Sequence, residues 1–222
     1  HHLIDILEPW EEFNVVVFQK KCKEAIAGIY ERGHIPILTG GTGFYIQAVL
    51  KDIDFTENED NTEYREQLEA LGEEKGAEQL HKMLREIDPE SAEAIPVNNK
   101  KRVIRALEFY HFTGQKISEH NKQESEKEPA YNFCYFVLND DRDKLYERIE
   151  QRVDIMLKNG LEDEVYHLLE KGCARDMVSM QGLGYKEIVD YLEGRCSLED
   201  AIYIIKRDTR HFAKRQLTWF RR

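Results

Sequence analysis

IPILTGGTGFYIQAVL, residues 35–50, is the stretch that decides how this chain is read. IPIL (35–38) has the composition of a short buried strand, and the glycine-rich TGGTG (39–43) breaks it. A second helix is then expected to start near Phe44. Strand, glycine loop and helix in that order predict an α/β layer, with helices packed on a parallel sheet. Glycines at such a turn let backbone N–H groups face an anion, and Thr42 adds a hydroxyl beside them. The spacing is not GxxxxGK[ST] and no lysine follows, so this is not a Walker A loop. A tight structural turn is the other reading.

Upstream, residues 14–32 read as an amphipathic helix. Asn14 can cap it, Val15, Phe18, Cys22, Ile26 and Ile29 recur three or four apart, and Gly33 can end it. Downstream the character changes near Phe55. Segment 56–93 is helix-rich and acidic, and NNKKRVIRALEFYHFTG (98–114) is a further helix with an asparagine cap and a glycine stop. Segment 115–130 is polar and reads as a linker. YNFCYFVLN (131–139), rich in aromatic and β-branched residues, reads as a strand returning to the sheet. From Arg142 the chain is helical again, broken by the loop MQGLGYKE (180–187). The predicted organisation is a core α/β domain in 1–54 and 126–222, interrupted by a helical insertion over 55–125.

A net charge of −11 argues against a nucleic-acid partner until its distribution is considered. Segment 56–93 holds 13 acidic and 4 basic residues, whereas KRDTRHFAKRQLTWFRR (206–222) holds seven basic and one acidic. Phosphate attraction depends on such local clusters, not on the total. No apolar run approaches the roughly 20 residues of a membrane helix. Cys22, Cys134, Cys173 and Cys196 are scattered without a CxxC pair, which predicts reduced, non-ligating thiols in a cytoplasmic protein and no structural zinc.

Three further stretches could carry chemistry. After Asp141, Leu145, Ile149, Val153 and Met156 form an apolar stripe, with Arg148 and Arg152 at its edge. An arginine at a core boundary needs an anionic partner, either a protein carboxylate or a substrate phosphate. In the last helix, SLED (197–200) resembles a capping box. Arg207, Arg210, Lys214 and Arg221 share one face there, opposite Ile202, Ile205, Phe212 and Phe220. That face is a phosphate-binding ridge or a solvated surface. QGLGYKE (181–187) offers Tyr185 and Lys186 to an unpaired nucleotide, or is a helix-connecting turn with Tyr185 packed inside.

In their order and spacing, HHLIDILEPWEEF, IPILTGGTGFYIQAVL, NNKKRVIRALE, DRDKLYERIEQRVDIM, QGLGYKE and KRDTRHFAKRQLTWFRR resemble the tRNA dimethylallyltransferases, the tRNA isopentenyltransferase family. His1 and His2 then match the family's own HHLID instead of a tag. The resemblance implies a P-loop kinase-like, three-layer α/β core with a parallel sheet and a helical insertion gripping the tRNA anticodon stem-loop. It implies transfer of a dimethylallyl group from dimethylallyl diphosphate, with Mg²⁺, to the exocyclic N6 amine of the adenosine 3′-adjacent to the anticodon. A cytoplasmic monomer is the accompanying expectation.

Carried over by position, Thr42 and Arg65 match tRNA-contacting residues. So do Lys101, Arg102, Val103, Ile104 and Arg105 of the insertion, and Gly182, Leu183, Gly184, Tyr185, Lys186 and Glu187. Arg215, Gln216, Leu217, Thr218, Trp219, Phe220, Arg221 and Arg222 form the last such stretch. Arg152 is the candidate catalytic contact to the diphosphate. No metal-ligating residue is assigned. The family's glycine-rich phosphate loop and general-base aspartate precede HHLID and are absent here, so these 222 residues alone are expected to be inactive. The rival readings are a P-loop small-molecule or nucleotide kinase, and a non-catalytic tRNA-binding fragment. ATP turnover distinguishes the first; tRNA binding without transfer distinguishes the second.

Overall fold

The computed structural model describes residues 1–55 and 62–221, so residues 56–61 of the acidic stretch and Arg222 lie outside the described residues. Every regular element among the described residues is helical. The three-layer core with a parallel sheet is therefore not what this chain forms. Segments 35–38 and 132–140 lack helical hydrogen bonding and have no ladder partner. Ile35 and Ile37 are each 86% exposed, Phe136 83% and Leu138 95%. Composition favours an extended backbone in these segments, but a sheet requires a neighbouring strand within about 4.9 Å to take the hydrogen bonds. A helix satisfies its own backbone, and every regular element among the described residues is of that kind.

The chain falls into two compact units, one of His1–Val49 with Asn132–Arg222, the other Leu50–Tyr131. In the first unit, α1 (Val15–Glu31) starts where the Asn14 side chain accepts the N–H groups of Val16 and Val17, at 3.0 and 3.1 Å. Helix α2 (Gly43–Leu50) lies beside it. The Gln19 amide donates to the Ala48 carbonyl at 2.8 Å, and the rings of Phe18 and Tyr45 meet with centroids 5.0 Å apart.

The larger core of this unit is built by α8 (Arg142–Lys158), α9 (Leu161–Glu170), a single 3₁₀ turn (Val178–Gln181), α10 (Tyr185–Leu192) and α11 (Leu198–Phe220). Val153, Leu161, Val165, Met180, Ile188, Val189 and Ile205 are buried together there. The expected capping box forms: the Ser197 hydroxyl accepts the Asp200 N–H at 3.1 Å, and the Asp200 carboxylate accepts the Ser197 N–H at 3.4 Å. The expected apolar stripe of α8 also forms, with Val153 buried and Leu145, Ile149 and Met156 partly buried.

The second unit packs α3 (Thr62–Glu74), α4 (Ala77–Ile87), α5 (Pro89–Ala94), α6 (Lys100–Thr113) and α7 (Ile117–Glu126). Helix α7 occupies the polar stretch read as a linker. Its polarity is that of a helix with one narrow packed face, since Ile117 joins the core while most of α7 stays in water. Leu68, Leu80, Leu84, Val103, Ile104 and Leu107 form the centre. Burying each such side chain stabilises by about 1.5–3 kcal/mol.

Asp88 ties the short helices together. Buried to 2% exposure, its carboxylate accepts the Ser91 N–H (3.1 Å) and hydroxyl (2.7 Å), which caps α5. It also accepts the Ser118 N–H (3.0 Å) and hydroxyl (2.7 Å) at the start of α7. Burial alone would push this carboxyl up, but the hydrogen bonds from Ser91 and Ser118 outweigh it and hold the group below the usual carboxylate range. A depressed folded-state pKa contributes stability that is complete above the unfolded value near about 3.9 and is lost as pH falls through the folded value. Asp88→Asn is expected to lower unfolding stability by about 2 kcal/mol at neutral pH. It should also flatten the loss of stability seen below about pH 4 in urea titrations of the parent.

Candidate nucleic-acid interface

Helix α6 places the first basic cluster. Asn99 caps it by accepting the Arg102 N–H at 3.4 Å, and Gly114, at φ 68°, closes it in a left-handed turn suited to glycine. The helical period then divides the stretch 101–105. Lys101, Arg102 and Arg105 are exposed, while Val103 (0% exposed) and Ile104 (6%) belong to the core. Only the three cations can offer side chains to a ligand.

Arg65, on α3, is held by a residue that sequence reasoning missed. Its Nε donates to Glu108 Oε1 at 2.9 Å and its Nη2 to Oε2 at 2.8 Å, a two-point fork on a carboxylate only 4% exposed. A buried carboxylate must be paired, because its unpaired charge would cost several kcal/mol. The signal was present in KKRVIRALE: one acid on the core side of a basic helix. Next to Arg65, the rings of Tyr64 and His111 stack at 3.8 Å, with Phe112 edge-on to Tyr64. Burial and then the Glu108 charge push the Tyr64 hydroxyl above its ordinary pKa.

In the other unit the basic helix is less open than its sequence suggests. Lys206 pairs with Asp154 of α8 at 2.5 Å, and Arg210 with Glu150 at 2.6 Å. Arg207 pairs with Asp208 at 2.8 Å. The expected ridge of Arg207, Arg210, Lys214 and Arg221 thus loses Arg207 and Arg210 to protein carboxylates and keeps Lys214 and Arg221 exposed; Arg215 is exposed as well. Phe212, assigned by projection to the core side, is 38% exposed, with the Arg215 guanidinium 5.7 Å from its ring centre. On α8, Arg148 is 69% exposed and pairs with Asp140 at 3.1 Å. Arg152 is also exposed, so neither sits at a core boundary, and Arg152 makes no ion pair or hydrogen bond among the described residues.

QGLGYKE is a turn followed by a helix. Gly184 adopts φ 100°, and its N–H donates to Glu187 Oε2 at 2.9 Å. Glu187 is 4% exposed; its Oε1 accepts no hydrogen bond and has Lys186 Nζ 3.4 Å away. The Tyr185 hydroxyl donates to Glu164. Burial, and then the bond to Glu164 and its charge, push the Tyr185 pKa up to about 12. Its ring packs against the core, which favours the turn reading for Tyr185. Gly182 is exposed and Leu183 partly buried beside it. A cavity of 230 Å³ between α10 and α11 is lined by Arg175, Lys186, Glu187, Asp190, Cys196 and Asp208. No group of three or more His, Cys, Asp or Glu side chains among the described residues could hold a metal ion.

In the glycine loop, Gly41 and Gly43 face α11. The Gln216 amide donates to the Gly41 carbonyl at 2.9 Å, and Trp219 stands against Gly43. Thr42 between them is exposed. Leu217 and Phe220 are partly buried, and Thr218 is exposed with its hydroxyl donating to the Lys214 carbonyl at 2.9 Å.

The IPP transferase family model matches residues 1–222. A curated tRNA dimethylallyltransferase of Lachnoclostridium phytofermentans is 60% identical over 222 residues, covering 100% of this chain and 71% of that protein. One from Carboxydothermus hydrogenoformans is 51% identical over 222 residues, with the same coverage of 100% and 71%. Among solved structures, the full-length tRNA isopentenylpyrophosphate transferase from Bacillus halodurans aligns with a TM-score of 0.67 at 45% identity, covering 100% of this chain and 68% of that one. A eukaryotic dimethylallyltransferase acting on tRNA aligns with a TM-score of 0.80 at 29% identity, covering 99% and 55%.

Removing the Glu108 carboxylate is expected to cost less than breaking a fully buried pair, because Arg65 is half exposed and can rehydrate. Glu108→Ala should lower unfolding stability by about 1–3 kcal/mol in chemical denaturation, while the Arg65→Ala variant should lose more, since it strands Glu108.

Proposed function

The chain belongs to the IPP transferase family, and from that premise we infer that its reaction is the one its relatives are named for, transfer of a dimethylallyl group to tRNA. The acceptor is the exocyclic N6 amine of the adenosine 3′-adjacent to the anticodon. The amine nitrogen bonds to C1 of dimethylallyl diphosphate, the bond from C1 to the diphosphate oxygen breaks with its electron pair, and the amine gives up a proton. The amine must approach the electrophilic carbon directly, so the adenine leaves its stack.

The observation that carries the tRNA reading is the cluster of cations on α3 and α6. In a chain of net charge −11, Lys101, Arg102 and Arg105 stand exposed, and Arg65 is held by Glu108. Guanidinium groups suit phosphate oxygens because their planar fork gives parallel hydrogen bonds; Arg102 and Arg105 make no ion pair among the described residues, whereas Arg65 already has Nε and Nη2 on Glu108. Thr42, the turn 182–184 with Lys186, and Arg215, Thr218 and Arg221 on α11 complete the proposed contacts. Arg222 of the same stretch lies outside the described residues.

Arg152 is proposed for the leaving diphosphate. Its support is an exposed, uncommitted guanidinium on α8, where neighbouring Arg148 is paired with Asp140. Mg²⁺ would add positive charge at the same leaving group. The described residues include no cluster suited to hold it, so no step is assigned to it. No described helix is long and apolar enough to cross a membrane. A cytoplasmic monomer is proposed from the size and nature of the RNA partner.

The direct test incubates the full-length protein with unmodified tRNA, dimethylallyl diphosphate and Mg²⁺, then weighs the adenosine beside the anticodon. A gain of one dimethylallyl group is expected; tRNA binding without that gain would remove the enzymatic assignment. Arg152→Ala should lower kcat by about a hundredfold with tRNA affinity within about twofold. Equal loss of both would count against its role at the diphosphate. Arg102→Ala and Arg105→Ala should each reduce the slope of log affinity against log salt by about 1.

A further inference from the structure

Two residues in the stretch 215–222 turn away from solvent and toward the glycine loop. Gln216 donates from Nε2 to the Gly41 carbonyl at 2.9 Å. A Cβ built on Gly41 would lie 1.9 Å from that same nitrogen. A Cβ on Gly43 would lie 2.0 Å from both Cδ1 and Nε1 of Trp219 and 2.7 Å from its Cγ. The Phe44 ring meets the Trp219 ring edge-on, with centroids 6.4 Å apart at 76°. Contacts under 3.0 Å are not tolerated by real Cβ atoms, and an indole ring cannot swing aside as the end of a flexible chain can.

The approach of the indole explains Gly43. Gly40, Gly41 and Gly43 are not among the glycines of positive φ, so left-handed backbone is not what they supply. Gly40 has open space around its Cβ position; Gly41 faces only the flexible end of Gln216, which can move, and Gly43 faces the Trp219 ring, which cannot. The residue between those two is Thr42, whose carbonyl accepts the N–H groups of Tyr45 and Ile46 at 3.0 and 3.2 Å. Helix α2 therefore holds Thr42 from its C-terminal side, and α11 holds the residues on either side of it.

We propose that Gln216 and Trp219 are positioning residues: they set where Thr42 stands and do not themselves contact RNA. The proposal rests on the reading of Thr42 as a tRNA contact. The hydrogen bond holds the carbonyl before Thr42, the indole holds the Cα after it, and between them they set the backbone from which the Thr42 side chain projects. A displacement of about 1 Å in a substrate-positioning group can cost as much as a hundredfold in rate.

A double-mutant cycle on the full-length protein tests this, with kcat and KM for unmodified tRNA measured separately. Gln216→Ala and Thr42→Ala are made singly and together, and Gln216→Glu, which keeps length and loses the donor, replaces Gln216→Ala if that variant does not fold. Each single change is expected to lower kcat about tenfold, with KM for tRNA within about twofold. The double variant should fall no further than the worse single, because one residue acts through the other. Losses that multiply would overturn the proposal by making Gln216 an independent contact.

Melting supplies a readout that needs no turnover. Gly43→Ala should lower Tm markedly with Trp219 in place and only slightly in the Trp219→Leu background; equal losses in both would overturn the packing argument. Should the unaltered protein transfer no prenyl group, the enzymatic reading fails, and the Gln216 and Thr42 cycle is then read in tRNA affinity, where losses that multiply would overturn the positioning claim.

Discussion

Asp88 sits in the core of the second unit with a carboxylate that only helix starts can satisfy, and the arrangement of α5 and α7 follows from that constraint. Both serines that reach it, Ser91 and Ser118, bring a backbone N–H and a hydroxyl from the first turn of a helix. Helix N-termini have N–H groups without intrahelical partners, so each side of this joint supplies what the other lacks. Other buried carboxylates also take backbone N–H groups: Glu124 of α7 accepts that of Asp54 at 2.9 Å, and Glu187 closes the turn before α10. Glu108 joins α6 to α3 through Arg65. In a chain whose described elements are all helical, apolar burial supplies most of the energy, while buried carboxylates say which helix end goes where.

This use of acids bears on how a chain of net charge −11 meets a polyanion. Carboxylates on α8 and α11 neutralise Lys206, Arg207 and Arg210 within the protein. The cations that stay exposed, Lys101, Arg102 and Arg105 on one unit and Lys214, Arg215 and Arg221 on the other, are those without such partners on their own helix face. Screening limits the reach of surface charge to about 8–10 Å near physiological salt, so distant acidic helices weigh little against a local basic cluster. Total charge is a poor guide to partner choice in such a molecule.

What could be read in advance was local. Asn14, Asn99 and SLED mark helix starts, because a cap needs only one side chain and the next three residues. The core stripe of α8 follows from a 3.6-residue period. The parallel sheet did not follow, although IPIL and YNFCYFVLN have strand composition. Propensity acts on one segment, and pairing requires two. The split of 101–105 into three surface cations and two core residues follows from α6's orientation, which the stretch alone does not state. Glu108 went unnoticed for a related reason: its partner Arg65 lies on a different helix.

The sequence by itself determined the family of this protein, the helix starts and the stretches rich in exposed charge, since order, spacing and caps are properties of neighbours along a chain. Tertiary structure decided which cations are spent on protein carboxylates, why Gly43 must be glycine, and what Gln216 and Trp219 face. The contacts at the glycine turn depend on approaches between residues more than 170 positions apart: Gln216 and Gly41 are separated by 175. No local rule encodes such a contact; it exists only once packing has brought α11 against the glycine turn.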